Sequence, residues 1–276
     1  MDNSSYFSGS LCLVFGASGG IGQAICRELN ARGAGIIGAS RNEDAINKVF
    51  AKQGIIGQTL QADLTDSETL ERELKSLVEK GNIPDHIIIA AGYDVRKPFE
   101  DHSTEDIDRS VNVNLTSLVE ICKVLYPRFL ERKSGTLTYV GGFGDGSLAF
   151  PFYSVNAATR SAAKTFLEAL NREIPTDKPD AKAIRFLYFG PTAVMTESEK
   201  EFLPLWKKMG TPIISPDKVA HTLLKSIERK KTSVAIGSLT RFGIVTNAIS
   251  TNLSNTLFMN GYKKVLEPIF RAKAQI

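Results

Sequence analysis

The residues most clearly spaced for chemistry are Gly16-Ala17-Ser18-Gly19-Gly20-Ile21-Gly22, between the apolar run Leu11-Cys12-Leu13-Val14-Phe15 and a helical pattern over 23–32. The first amides of a helix lack partners inside it and sit at the positive end of its dipole, so a turn of this kind attracts phosphate. Glycines allow a pyrophosphate to touch the backbone. Phosphate binding is the chemistry this stretch predicts, with a purely structural strand-to-helix turn as the alternative on the motif alone. Other reactive side chains are scattered. His86, His102 and His221 lie far apart and outside any metal-ligand motif, so no metal is expected. Cys12, Cys26 and Cys122 have no Cys-x-x-Cys spacing and read as buried thiols in a reducing compartment.

The elements that must hold the turn alternate between strand and helix. Strands are predicted over 35–40, 55–61, 86–92, 135–140, 183–189 and 233–236, with helical patterns between them. The run His86-Ile87-Ile88-Ile89-Ala90-Ala91-Gly92 carries consecutive rather than alternating apolar residues, as in a parallel strand covered on both faces. A doubly wound α/β fold with a parallel sheet follows. Residues 103–132 and a segment from 152 or 153 to 173 form the longest helices, and 194–209 is less regular, a candidate lid. Beyond it, Phe242, Val245, Ile249, Leu253, Leu257, Val265 and Ile269 recur at helical spacing. One or two C-terminal amphipathic helices are expected, packed on the domain or on a subunit partner.

With 276 residues and 42% hydrophobic content the chain can bury one large core, and residues 1–276 are expected to form a single domain. The charge of +4 is dispersed among 30 acidic residues, which argues against nucleic acid. Basic residues in the tail are too few to favour a membrane. The polar first ten residues resemble no signal peptide and no uncharged stretch is long enough to span a bilayer, so a cytoplasmic location is expected.

The glycine turn, Asp63-Leu64, Ala91-Gly92, Asn114, Tyr153 and the Gly190 loop stand in the order and spacing of the short-chain dehydrogenase/reductase family. The resemblance covers about residues 8–237 and implies a Rossmann fold. It also implies that Gly16, Gly20, Ile21 and Gly22 hold a cofactor pyrophosphate, with Ser18 near the adenosine ribose or its phosphate. Asp63 and Leu64 match the pair that contacts adenine. Ala91 and Gly92 match the end of an Asn-Asn-Ala-Gly segment whose asparagines are here Ile89 and Ala90, so some sheet-stabilising hydrogen bonds must be absent or replaced. Gly190 and Thr192 resemble the loop beneath the nicotinamide, with Thr196 a second candidate for the amide contact. At the end of the second strand an acidic residue would repel a 2′-phosphate, whereas this chain has Ser40-Arg41, a hydroxyl and a guanidinium that favour NADP(H).

The family's catalytic set is a tyrosine, a lysine four residues on, a serine at the end of the fifth strand and an asparagine in the preceding long helix. Tyr153 and Asn114 fit. Ala157 stands at the lysine position, and Gly142 or its neighbour Gly141 at the serine position. A lysine there would lower the tyrosine pKa, so Ala157 leaves Tyr153 a poorer base, though a protonated phenol still donates to a developing alkoxide. Arg160 and Lys164 share Tyr153's helical face about 10 and 16 Å along the axis, and packing or surface roles are expected for both. Asn156, Ser154, Asp145 and Ser147 border the altered region without a spacing rule that selects one.

The expected activity is that of an NADP(H)-dependent oxidoreductase reducing a carbonyl or oxidising a secondary alcohol, with Tyr153 as proton donor and Asn114 in support. Residues 192–276 are expected to form the variable substrate-lid and C-terminal region, with a non-charged substrate. The alternatives are a cofactor-binding pseudoenzyme, acting as a regulator or as a subunit beside an active homologue, and a non-redox isomerase or dehydratase. Family members associate through the two long helices, so a homo-oligomer, dimer or tetramer, is expected.

Overall fold

The structure is a computed structural model and describes residues 6–142, 146–175 and 183–273. Its sheet contains β1 (Leu11–Phe15), β2 (Gly35–Ser40), β3 (Gln58–Gln61), β4 (His86–Ile89), β5 (Ser134–Val140), β6 (Ala183–Gly190) and β9 (Ser233–Ala235). The spatial order is β3-β2-β1-β4-β5-β6-β9, with every pairing parallel. Phe15 pairs with Ala39 on one side and Ile89 on the other, which levels the carboxyl ends of three central strands. Strand order reverses between β1 and β4, the place where a doubly wound sheet opens a crevice for ligands.

Both faces of the sheet are covered, as the continuous apolar strands require. Leu74 from α3 (Ser67–Glu79), Leu125 from α5 (Ser117–Arg132) and Leu167 from α6 (Ser154–Glu173) pack with Leu13 and Ile87. On the other face Ile25 from α1 (Gly20–Ala31), Ile46 from α2 (Glu43–Gln53) and Leu223 from α8 (Pro216–Glu228) pack with Val14 and Ile88. The helix expected over 103–132 begins at α4 (Thr104–Val111), behind the Ser103/Asp106 capping box, and is interrupted by a π-helical turn, Asn112–Thr116.

Beyond β6, the pair β7 (Ala193–Val194) and β8 (Ile213–Ile214) frames a 3₁₀ turn and α7 (Leu203–Lys208), the region expected as a lid. The tail forms α9 (Ser238–Ile249), α10 (Thr251–Ser254), a π-helical turn and α11 (Asn260–Lys273). Helix α11 packs inward, with Leu266 and Phe270 fully buried beside Leu205. Three apolar residues of α9, however, do not pack on the domain. Phe242, Val245 and Ile249 face outward while Thr240 and Thr246 are buried. Helical spacing identified the stripe but not the side on which the body would lie.

Candidate active site

A cavity of about 480 Å³ opens along the carboxyl ends of the strands. At one end lies the glycine turn. Gly16 has φ +79°, and a Cβ there would sit 2.8 Å from the Ala91 amide nitrogen. A Cβ on Gly22 would lie 2.0 Å from the Gly16 carbonyl oxygen, so neither position admits a side chain without rebuilding the turn. The turn is pinned by Gly16 N–H donating to Ala39 O at 2.8 Å and Gln23 Nε2 donating to Ser18 O at 2.7 Å. No side chain caps α1 and no acidic residue occupies its first turn, so its positive end faces the cavity uncompensated.

Ser18, Gly20 and Ile21 line the cavity with this turn, as do Ser40, Arg41, Asp63, Leu64, Ala91 and Gly92. The Ser40 hydroxyl donates to Asn42 O, while Arg41 is exposed and engaged in no ion pair among the described residues. Asp63 accepts from the Thr65 amide and hydroxyl, which shapes the loop behind Leu64. Thr192 also lines the wall, but its hydroxyl donates to Pro212 O at 2.7 Å. Thr196 lies directly over the turn: a Cβ on Gly20 would meet its Cγ2 at 2.8 Å. Gly190 stays within β6, paired with Ala235 and outside the lining.

The other end of the cavity holds Tyr153 at the N-cap of α6, redirected by Phe152 with φ +69°. The Tyr153 ring packs against Trp206 and Phe270, with the Arg96 guanidinium 5.6 Å from its centroid. Its hydroxyl is buried without a hydrogen-bond partner among the described residues. Burial pushes this phenol above its ordinary pKa, Arg96 pulls it down, and burial prevails.

Asn114 is not brought into the cavity wall. It is fully buried in the π-helical turn, accepting from Tyr93 N–H at 2.9 Å and donating to Tyr93 O at 2.7 Å. Asn156, which does line the cavity, grips Val95 in the same way, accepting from its N–H at 3.3 Å and donating to its carbonyl at 3.0 Å. The Ser110 hydroxyl joins them, accepting from Asn114 Nδ2 and donating to Asn156 Oδ1. Two amide side chains thus hold the backbone on either side of Asp94, much as a neighbouring strand would.

Asp94 is the hub of an ion-pair chain. It accepts from Arg160 Nη2 at 2.9 Å and lies 3.4 Å from Arg96, which pairs with Glu199, which accepts from Trp206 Nε1 at 2.9 Å. Burial raises the Asp94 carboxyl, but Arg160 and Arg96 outweigh it and hold the group below its usual range. Of the packing or surface roles expected for Arg160, the surface one is excluded: it is buried and lines the cavity. Lys164 pairs with Glu168.

A Cβ on Gly142 would lie 2.9 Å from Arg160 Cδ, and one on Gly141 would lie 2.1 Å from the Tyr188 hydroxyl oxygen. The space beside both glycines is filled. Ala157 lines the cavity, Ser154 is exposed, the Ser147 carbonyl accepts from Asn247 Nδ2, and Asp145 lies outside the described residues.

A family profile described as short chain dehydrogenase matches residues 10–204. The chain belongs to the short chain dehydrogenase family. It is 26% identical over 167 residues to an uncharacterised oxidoreductase of Staphylococcus epidermidis, covering 59% of this chain and 71% of that one. To a fatty acyl-CoA reductase of Acinetobacter baylyi it is 25% identical over 260 residues, or 92% and 84% of the two chains. A crystal structure of a short-chain dehydrogenase from Streptomyces avermitilis shares the fold with TM-score 0.76 and 22% identity, covering 91% of this chain and 96% of that one. A Burkholderia cenocepacia short chain dehydrogenase in complex with NADP matches with TM-score 0.74 and 19% identity, covering 91% and 97%.

Within this short chain dehydrogenase, Asp94, Arg96, Glu199 and Trp206 are cavity residues that motif spacing did not select. A signal was present. Gly142 removes volume at the end of β5, and Arg160, seven residues beyond Tyr153 on the same helical face, takes up the space beside it. Arg160 Nη1 reaches Val140 O and the Tyr139 hydroxyl, each at 3.4 Å.

Proposed function

We propose that this short chain dehydrogenase is an NADP(H)-dependent oxidoreductase that reduces an uncharged carbonyl to an alcohol. The observation that carries the proposal is one continuous cavity joining the Gly16–Gly22 cradle, the Ser40-Arg41 end of β2 and the Tyr153 wall. A pyrophosphate fits a turn that tolerates no Cβ and ends in an uncapped helix. Ser18, Ser40 and Arg41 would take the 2′-phosphate and adenosine ribose, Asp63 and Leu64 the adenine, and Ala91, Gly92, Thr192 and Thr196 the path to the nicotinamide. When bound, this cofactor supplies the hydride.

Tyr153 supplies the proton. Its raised pKa makes it a poor base but keeps the phenol protonated, which suits donation to the oxygen of a carbonyl being reduced. The tyrosinate left behind lies beside Arg96 and regains its proton from solvent. Asn114 acts as a positioning residue through the Tyr93 backbone. Arg160 and Arg96 are neutralised by Asp94 and Glu199, which supports an uncharged substrate. The Acinetobacter relative's name adds a fatty acyl thioester to the carbonyls to test, whose reduction by one hydride would give a thiohemiacetal that releases the thiol and leaves an aldehyde. Residues 192–276 shape the pocket through Trp206, Met209 and Thr211. Self-association through α4–α5 and α6 and a cytoplasmic setting for the three buried thiols complete the proposal.

A cofactor-binding protein without turnover is the second function, favoured by Arg160 filling the space beside Gly142. The experiment is NADPH binding by fluorescence together with NADPH oxidation in the presence of ketones and fatty acyl thioesters. Oxidation that falls about 10²–10³-fold in Tyr153→Phe supports the reductase. Binding without oxidation supports the alternative, and tighter NADH than NADPH refutes the cofactor assignment.

A further inference from the structure

Helix α9 is amphipathic in the wrong sense for a helix lying on a soluble domain. Among its described side chains, the buried positions are polar or small. Thr240 and Thr246 are 4% and 5% exposed, Asn247 Nδ2 donates to Ser147 O at 3.1 Å, and a Cβ on Gly243 would meet Leu148 at 3.7 Å. Its outward side carries Phe242, Val245 and Ile249, spaced three and four residues apart and 55%, 54% and 73% exposed. Leu253 and Leu257 extend the outward apolar surface into the next segment. Phe258, in the π-helical turn after α10, packs edge-on against Phe242 with centroids 5.8 Å apart, so the two segments lie side by side. Large apolar groups would be inside if water were the only environment of this face.

Charge indicates what covers it. Residues 238–266, which form α9 and the segments after it, contain no Asp or Glu, while Arg241, Lys263 and Lys264 are among them. Arg241 is exposed one helical turn before Val245, on the same side. No described helix is long and apolar enough to cross a membrane, so this surface would lie in an interface rather than span it. We propose that the outward face of α9 and the segment after it docks on the surface of an anionic lipid bilayer. The small basic count of the tail, unpromising by itself, gains its force from the outward aim of the apolar residues and the lack of any carboxylate within residues 238–266. Because the inward side of α9 contacts the 147–148 segment and Leu148 lines the cavity, docking would leave the cavity wall one helix thickness, roughly 10 Å, from the lipid.

The test is co-sedimentation of the full chain with vesicles of phosphatidylcholine alone or mixed with phosphatidylglycerol, with light scattering on the same samples. Binding is expected on the anionic vesicles, weakening with salt and falling by about tenfold or more in Phe242→Glu and Ile249→Glu. Phe242→Trp, a conservative change in a chain whose one other tryptophan is Trp206, is expected to shift its emission to the blue on those vesicles. Absence of binding to either vesicle, or no blue shift, overturns the proposal. So does a wild-type dimer in solution that the two Glu variants convert to monomer, since a second copy would then be the occupant.

Discussion

Replacing Arg160 by Met tests whether the ion pair with Asp94 organises the catalytic end of the cavity. Arg160 is 8% exposed, and the Asp94 side chain keeps 33% of its surface towards the cavity. Removing one partner of a fully buried pair costs about 3–5 kcal/mol, because the other charge is stranded. Solvent at Asp94 and the remaining contact to Arg96 reduce this to about 2–3 kcal/mol, or very roughly 4–10 °C in Tm for a chain of this size. Urea unfolding at pH 7 measures the difference, and Asp94→Asn with Arg160→Met is expected to recover part of it. The pH dependence has a definite sign. Asp94 is held below its ordinary value of 3.8 in the folded chain, so the unfolded chain takes up the proton first. The pair's contribution is complete above about pH 4 and lost as pH falls through the lowered value. A variant within about 0.5 kcal/mol of wild type, or a loss unchanged when Asp94 is also neutralised, would refute the role assigned to the pair.

Three further outcomes are expected. Gly142→Ser forces a Cβ to 2.9 Å from Arg160 Cδ, so it should cost about 1–3 kcal/mol in urea unfolding. Combined with Ala157→Lys it should raise carbonyl reduction only when Arg160 is shortened as well; full activity with Arg160 intact would show that the space is not contested. Gly22→Ala places a methyl 2.0 Å from Gly16 O and should weaken NADPH binding by about tenfold or more, read by fluorescence titration against an unchanged substrate-side Tyr153→Phe control. Burial pushes His86 down to about 4, with Arg132 adding to it and Asp85 opposing it. The unfolded chain therefore binds the proton first, and stability should fall by about 3 kcal/mol between pH 6.5 and pH 4. His86→Phe should flatten that slope; an unchanged slope would mean another group titrates there.

The parts of this fold legible in the sequence are those set by local pattern. The unbroken apolar run of β4 announced a sheet covered on both faces, and the Gly16–Gly22 spacing announced a turn without room for side chains. Less legible were positions whose meaning depends on a distant neighbour. Asn114 matched a catalytic position, yet its amide is spent on Tyr93, a contact 21 residues away that motif spacing does not encode. Helical periodicity placed Phe242, Val245 and Ile249 on one stripe but is silent on which side faces the body. Arg160 was assigned by its distance along the axis from Tyr153, although an arginine side chain directed at the sheet covers that distance laterally, towards Asp94 and Val140.

The position where the family pattern carries a serine is packed rather than empty. Arg160 fills the space beside Gly142. The charge this introduces is matched by Asp94, and Asp94 is held by Tyr93 and Val95, whose backbones Asn114 and Asn156 clamp from both sides. Among the buried side-chain atoms without a described hydrogen-bond partner, two belong to residues lining the cavity, Tyr153 Oη and Arg96 Nε. Both are donors, and their residues are in contact. Two adjacent donors left free in the cavity wall are where the oxygen of the proposed carbonyl substrate would find its hydrogen bonds.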